Sequence, residues 1–177
     1  MNIVLIGMRG TGKTTIAKML STKLNRPYVE TDQIIEERAG GKSIAVIVEE
    51  NTWQGFRAME KKVVEEVSKS SQNAVISAGG GVVLNRENME NLKKNNDGII
   101  IWLKANIDTI VAHIGTNYTR PRLTTAPTWV EELKIVYEKR KGLYEKFADL
   151  TINTDDKNPE QIAEEIISKL KTKNYQL

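Results

Sequence analysis

A short glycine-rich segment near the start of the chain carries the strongest chemical signal. Residues 7–14 read Gly-Met-Arg-Gly-Thr-Gly-Lys-Thr and fit the pattern G-x-x-x-x-G-K-S/T, between an apolar run and a helical pattern. In that context the glycines let backbone N–H groups turn toward phosphate oxygens, and the helix N-terminus adds positive potential. Lys13 is expected to reach the β and γ phosphates of a nucleotide, and the Thr14 hydroxyl to bind Mg²⁺. The predicted nucleotide-binding residues here are Gly10, Thr11, Gly12, Lys13, Thr14 and Thr15.

An acidic pair, Glu30 and Asp32, follows the second predicted strand. Ligands of open α/β sheets bind outside the carboxyl ends of the strands, so we expect this pair on the same edge as the phosphate loop. There Asp32 could accept a proton from a substrate hydroxyl, and Glu30 could hold Mg²⁺ through water. Asp32 could equally cap the helix that follows, which is a common role of Asp.

Three consecutive glycines, Gly79, Gly80 and Gly81, follow the third predicted strand. Three glycines in a row cost chain entropy on folding, which is offset where backbone N–H groups must approach a ligand closely. A flexible turn between strand and helix is the other interpretation, and the residues alone favour neither.

Two arginines complete the candidate residues. Arg140 has apolar or aromatic residues at its i±3 and i±4 positions, so it faces the apolar side of its helix and requires an anionic partner. That partner is either a structural carboxylate or a ligand carboxylate. Glu60 follows Arg57 by three residues. The two residues form a surface ion pair, or Glu60 orients the Arg57 side chain within a binding site.

Short β-branched runs alternate with helical patterns, which is typical of an α/β protein with a parallel sheet. The predicted strands are Asn2 to Ile6, Tyr28 to Glu30, Ala74 to Ala78, Gly98 to Leu103 and Leu150 to Asn153. The predicted helices are Lys13 to Leu24, Asp32 to Ala39, Ser43 to Asn51, Trp53 to Lys69, Arg86 to Lys94, Ile107 to His113, Thr128 to Lys146 and Pro159 to Lys171. We expect one domain over residues 1–177, with a mobile lid at about 113–128.

Composition excludes several classes of function. The chain has 177 residues, no cysteine and one histidine, which excludes disulfides, thiolate chemistry and a multi-histidine metal centre. Its net charge of +3 is too small and too dispersed to indicate nucleic-acid or membrane binding. No apolar run reaches the ~18 residues of a membrane span, and no signal peptide is recognisable. We therefore expect a cytoplasmic protein.

These motifs, in their order along the chain, resemble the shikimate kinase family from Asn2 to about Leu170. The family pattern is a phosphate loop followed by D-T-D, F-R-x-x-E, G-G-G, R-P-L-L and Y-x-x-R-x-x-x-Y. The matching segments here are residues 7–15, 30–32, 56–60, 79–81, 120–123 and 137–144. The phosphate loop alone would indicate only nucleotide binding, whereas the ordered set is far more specific.

The resemblance implies a kinase that transfers the γ-phosphate of ATP to the 3-hydroxyl of shikimate, acting as a monomer with Mg²⁺. It implies a three-layer P-loop kinase fold, with a five-stranded parallel sheet in the order 2-3-1-4-5 and substrate-binding helices at about 32–70. By resemblance, shikimate is bound by Asp32, Arg57, Gly79, Gly80, Gly81 and Arg140. Lys13, Asp32 and Arg120 are the implied catalytic residues, Arg120 also contacting the nucleotide, and Thr14 and Glu30 hold Mg²⁺, Glu30 through water.

Three positions depart from the family pattern. Glu30 replaces the usual Asp, His113 replaces an Arg often found at the lid entry, and Arg122 replaces the first Leu of the lid motif. Two alternatives stay open from the residues alone. One is another kinase of this fold, acting on gluconate or a nucleoside monophosphate, and the other is a nucleotide-binding module without catalysis.

Overall fold

The computed structural model describes residues 1–115 and 121–175. Five strands form one all-parallel sheet in the order β2-β3-β1-β4-β5. The strands are β1 Ile3–Ile6, β2 Tyr28–Glu30, β3 Val75–Ser77, β4 Ile99–Lys104 and β5 Leu150–Asn153. The α-helices are α1 Lys13–Leu24, α2 Thr31–Arg38, α3 Ile44–Ser70, α4 Arg86–Lys94, α5 Ile107–Ile114, α6 Trp129–Phe147 and α7 Pro159–Thr172. The predicted α/β class and strand order are confirmed.

The central strand β1 divides the hydrophobic core into two layers. Its side chains are fully buried, and they alternate between the two faces of the sheet. Val4 and Ile6 join the larger cluster, which includes residues of α2, α3, α4, α5 and α6. Ile3 and Leu5 join the smaller cluster, which α1 and α7 cover. The continuous apolar run of β1 thus reflects a strand that is covered on both faces.

Asparagine side chains cap the N-termini of α4 and α7. The side chain of Asn85 accepts a hydrogen bond from Glu87 N at 2.9 Å, and that of Asn158 accepts one from Gln161 N at 2.9 Å. Such bonds satisfy amides that have no partner within the helix. Each asparagine directly precedes a helix start that the sequence predicts, Arg86 or Pro159, and both starts are confirmed.

The helix α3 is interrupted at Thr52, between the two helices that the sequence predicts. The range of α3, Ile44–Ser70, spans both of these helices, and Thr52 between them is non-helical at φ 61° and ψ 171°. The predicted break is therefore confirmed: α3 consists of two helical segments that meet at a kink at Thr52. Other ends differ by one residue or so, and two short 3-10 turns at Val82–Leu84 and Asn95–Asp97 were not predicted.

The segment expected to form a lid is described only in part. His113 belongs to the last turn of α5, and residues 121–128 form an irregular stretch that leads into α6. Residues 116–120, including Arg120, lie outside the described residues, so the mobile lid stays a prediction. Within residues 1–115 and 121–175, no helix is long and apolar enough to cross a lipid bilayer.

The helix α6 offers a test of the fold at an exposed glycine. A Cβ added at Gly142 would meet no atom within 4 Å, and the position is helical. Because glycine costs more chain entropy than alanine in a helix, Gly142→Ala should stabilise the fold by about 0.5–1 kcal/mol. Urea unfolding followed by circular dichroism measures the change. A loss of stability would contradict the helical, unobstructed environment described for this residue.

Candidate active site

Two adjoining cavities open at the carboxyl edge of the sheet. The larger, of about 510 Å³, is lined by the phosphate loop and by residues that follow β2, β3 and β5, and we call it the nucleotide cavity. The smaller, of about 40 Å³, lies among α3, α6 and the Gly79–Gly81 turn, and we call it the acceptor cavity. Arg9, Asp32 and Gly80 line both cavities. These three residues therefore mark the border at which two bound molecules would meet.

The phosphate loop joins β1 to α1. Gly12 precedes the first turn of α1 with φ 85°, a left-handed conformation that favours glycine. The Lys13 ammonium donates hydrogen bonds to the carbonyl oxygens of Gly7 at 3.0 Å and Met8 at 2.8 Å. The Thr11 hydroxyl also donates to Met8 O, at 2.8 Å. The loop thus places a lysine and a helix N-terminus beside the nucleotide cavity, an arrangement suited to phosphate.

The single histidine contacts this loop. His113 Nδ1 lies 2.8 Å from the carbonyl oxygen of Gly10, so Nδ1 carries the proton and donates it. His113 also lines the nucleotide cavity. The position that departs from the family pattern therefore links α5 to the phosphate loop.

Glu30 is held by three hydroxyl groups. Its carboxylate accepts hydrogen bonds from Thr14 at 2.8 Å, from Ser77 at 2.9 Å and from Tyr28. Burial raises the pKa of the Tyr28 hydroxyl, and its bond to Glu30 raises it further. The longer side chain of Glu, compared with the family's Asp, is thus fixed in one position beside the Thr14 hydroxyl.

Asp32 and Glu60 are two buried carboxyl groups that face the same glycine. A Cβ on Gly79 would lie 2.6 Å from Asp32 Oδ1 and 3.0 Å from Glu60 Oε1. Only glycine therefore lets the turn approach both carboxyl groups. Burial raises the pKa of Glu60, the Arg57 guanidinium opposes that shift, and the nearby Asp32 adds to it. Asp32 lies in the first turn of α2, and the cap position of that helix is Glu30.

Arg57 is half-buried and lines the acceptor cavity. Its Nη1 donates to both carboxylate oxygens of Glu60, at 2.8 and 2.7 Å, and Glu60 is 1% exposed. Its guanidinium also lies 5.4 Å from the Trp53 ring centroid and 5.2 Å from that of Phe56. A Cβ on Gly81 would lie 2.1 Å from Arg57 Nη2, so glycine is what leaves room for the guanidinium. Glu60 thus orients Arg57 toward the acceptor cavity.

Arg140 is buried on the inner face of α6. Its Nη1 donates to the carbonyl oxygen of Gly80 at 3.2 Å, and the Tyr144 hydroxyl donates to the same oxygen at 2.5 Å. Burial lowers the pKa of Arg140 and raises that of Tyr144 to about 12. The Tyr144 ring stacks on Trp102 with centroids 5.7 Å apart. The inward orientation predicted for Arg140 is therefore what the structure has.

The structure brings the predicted site residues together, except Arg120, which lies outside the described residues. Those predicted to bind nucleotide line the nucleotide cavity, and those predicted to bind substrate line the acceptor cavity. The sequence did not single out Thr154, Lys157 and Pro159, which also line the nucleotide cavity. Their one signal is that they follow β5. Arg9 and Glu132 were missed too, although Glu132 lies eight residues before Arg140 on the same helix.

The fold and the two cavities define a P-loop kinase that acts on small molecules. A family model described as shikimate kinase matches residues 9–171, and the chain belongs to the shikimate kinase family. The resemblance found in the sequence is thus confirmed, in preference to a gluconate or nucleoside monophosphate kinase.

Individual members of the family are similar to this chain along nearly its whole length. A shikimate kinase from Sulfurihydrogenibium sp. is 38% identical over 170 residues, covering 96% of this chain and 98% of the relative. One from Caldanaerobacter subterraneus subsp. tengcongensis is 42% identical over 166 residues, covering 94% of each. The solved shikimate kinase from Acinetobacter baumannii in complex with shikimate is 28% identical, with a TM-score of 0.90, over 99% of this chain and 95% of that one.

The contact between Gly81 and Arg57 yields a prediction about the acceptor cavity. In Gly81→Ala the new methyl group must displace the guanidinium, while the backbone at φ −98° accepts alanine without strain. We expect the KM for shikimate to rise about tenfold or more, because a charge-assisted contact is misplaced, and the KM for ATP to change little. Steady-state kinetics measure both values.

Gly142→Ala is the matched control, since it adds the same methyl group at an exposed position. It should leave both KM values unchanged. If Gly81→Ala also leaves the KM for shikimate unchanged, Arg57 does not bind the acceptor.

Proposed function

We propose that this site carries out its family's reaction through the residues around the border of the two cavities. The chain transfers the γ-phosphate of ATP to the 3-hydroxyl of shikimate, a step of aromatic amino acid biosynthesis. The position of Asp32 is the observation on which we base the roles of the individual residues. Asp32 lies on the border, between the phosphate loop on one side and the guanidiniums of Arg57 and Arg140 on the other.

Arg57 and Arg140 bind the carboxylate of shikimate in this proposal. Both guanidiniums line the acceptor cavity, and a guanidinium pairs with a carboxylate through charge-assisted hydrogen bonds of fixed geometry. Glu60 accepts its hydrogen bonds from Nη1 of Arg57. The other N–H groups of that guanidinium can therefore donate to a ligand in the acceptor cavity. The Gly79–Gly81 turn contributes close backbone contacts. The known binding of shikimate by the Acinetobacter baumannii relative supports this acceptor.

Asp32 orients the acceptor hydroxyl and accepts its proton during transfer. Its carboxyl group borders the nucleotide cavity, so a hydroxyl bonded to it would face the γ-phosphate. Phosphoryl transfer depends mainly on such positioning and on stabilising charge. Lys13, at the start of α1, stabilises the negative charge that the transferred group carries. Arg120, which lies outside the described residues, shares that role in the proposal.

The oxygen atoms near Thr14 fit a magnesium ion. Mg²⁺ prefers carboxylate, hydroxyl and water oxygens and keeps several waters when it binds nucleotides. The Thr14 hydroxyl and the Glu30 carboxylate lie 2.8 Å apart beside the phosphate loop. We propose that Thr14 binds the ion directly and that Glu30 holds it through water. When bound, Mg²⁺ supplies positive charge to the β and γ phosphates.

We also propose a cytoplasmic monomer whose partners are ATP, ADP and shikimate, with no nucleic acid or membrane partner. A chain without cysteine suits a reducing compartment. A net charge of +3 spread over 177 residues argues against a polyanionic partner. Size-exclusion chromatography with light scattering tests the oligomeric state.

The role of Asp32 predicts a loss in the chemical step. Asp32→Asn should lower kcat by about 10²-fold or more, a usual effect of losing a catalytic base, and should change ATP binding little. Stability should not fall, because the substitution removes repulsion between Asp32 and Glu60. Asp108→Asn is the matched control, since Asp108 also lies in the first turn of a helix but is exposed. A normal kcat for Asp32→Asn would exclude it as the base.

The acceptor itself is tested by ADP production with Mg-ATP and three candidates in parallel. Shikimate should support rapid turnover, because its carboxylate can pair with the guanidiniums of Arg57 and Arg140. Gluconate and nucleoside monophosphates should support little. Faster turnover with either of these would contradict the proposed acceptor.

A further inference from the structure

Glu132 is a fully buried carboxylate outside the motifs of the family pattern. It is 0% exposed and lies in the first turn of α6. Its Oε1 accepts from Arg9 Nη2 at 2.7 Å. Its Oε2 accepts from Arg122 Nε at 2.9 Å, from Leu123 N at 3.0 Å and from Thr124 N at 3.3 Å. One side chain thus joins two parts of the chain that are distant in sequence.

The partners of Glu132 lie at the active site. Arg9 belongs to the phosphate loop and lines both cavities, and Leu123 lines the acceptor cavity. Val136, one turn beyond Glu132 on α6, lines the acceptor cavity as well. The carboxylate therefore fixes the distance between the phosphate loop and one wall of the acceptor cavity.

The chemistry of this contact requires a charged carboxylate. A buried carboxylate persists only where charged or N–H donors surround it, and the described residues supply two guanidiniums and two backbone amides. A neutral amide at the same position would accept fewer bonds and would leave the two arginines facing each other without the negative charge between them. Arg122 takes part in this arrangement, and it is one of the three departures from the family pattern.

We propose that Glu132 is a positioning residue for the phosphorylation of shikimate. It holds Arg9 of the phosphate loop and residues 122–124 in a fixed relation, and so sets the acceptor cavity against the nucleotide cavity. The inference rests on the proposed function. It assigns to Arg9 and Arg122 a shared role that depends on Glu132.

The test is the kinetics of Glu132→Gln with both substrates varied. The KM for shikimate should rise roughly ten- to a hundredfold with a fall in kcat, the usual size of a small misplacement, while the KM for ATP stays within about twofold. Loss of folded protein alone would reduce the apparent kcat but leave both KM values unchanged. Glu138→Gln, an exposed position on the same helix paired with Lys141, is the control and should behave as wild type.

A double-mutant cycle with Arg9→Met identifies the contact responsible. Both changes remove the same interaction, so their combined effect on kcat/KM for shikimate should be well below the product of the single effects. Multiplying effects, or a folded Glu132→Gln enzyme with wild-type shikimate kinetics, would overturn the inference. If Glu132→Gln does not fold, Arg9→Met and Arg122→Leu decide. Each must raise the KM for shikimate, and the inference fails if either does not.

The wild-type enzyme separates the two proposals. If it does not phosphorylate shikimate, the proposed function fails. If it does so while the variants show wild-type shikimate kinetics, only the positioning role of Glu132 fails.

Discussion

The direct contact between two backbone turns holds the active site together. A Cβ on Gly80 would lie 3.3 Å from Gly7 O and 3.4 Å from Arg9 N, so the turn after β3 packs directly on the phosphate loop after β1. Parallel pairing produces this contact, because Ile3 pairs with Val75 and Leu5 with Ser77, and Ala78 N donates to Leu5 O at 3.1 Å. The acceptor and nucleotide cavities adjoin because these two strands are neighbours.

Around that contact, positively charged side chains lie opposite carboxyl groups. In the acceptor cavity, the positive charges of Arg57 and Arg140 stand against the carboxyl groups of Asp32 and Glu60. Burial opposes the charged form of both Glu60 and Arg140, as the raised pKa of one and the lowered pKa of the other indicate. Buried pairs of this kind add little net stability, but they fix geometry. Recognition of an anionic ring therefore depends on where the guanidiniums point, more than on a net positive field.

Features set by neighbouring residues could be predicted from the sequence, and contacts across the fold could not. The phosphate loop was predictable because its glycines, Lys13 and Thr14 lie within one strand-turn-helix unit. The inward face of Arg140 followed from helical spacing alone. The bond between Arg9 and Glu132 joins segments far apart in the chain, and no local pattern encodes it. The break at Thr52 was also predicted, as the boundary between two helices, and its φ of 61° confirms it.

The central place of β1 has a consequence for how the protein is synthesised and folded. Ile3 pairs with Val75 on one side and with Ile99 on the other, so β1 gains its second neighbour only after synthesis has reached β4. Such distant pairings slow folding, because the chain loses the entropy of closing long loops before the new contacts stabilise it. A nascent chain therefore carries the complete phosphate-loop sequence well before it can bind nucleotide. Once the sheet is complete, ATP binds the native state and adds to its stability by mass action.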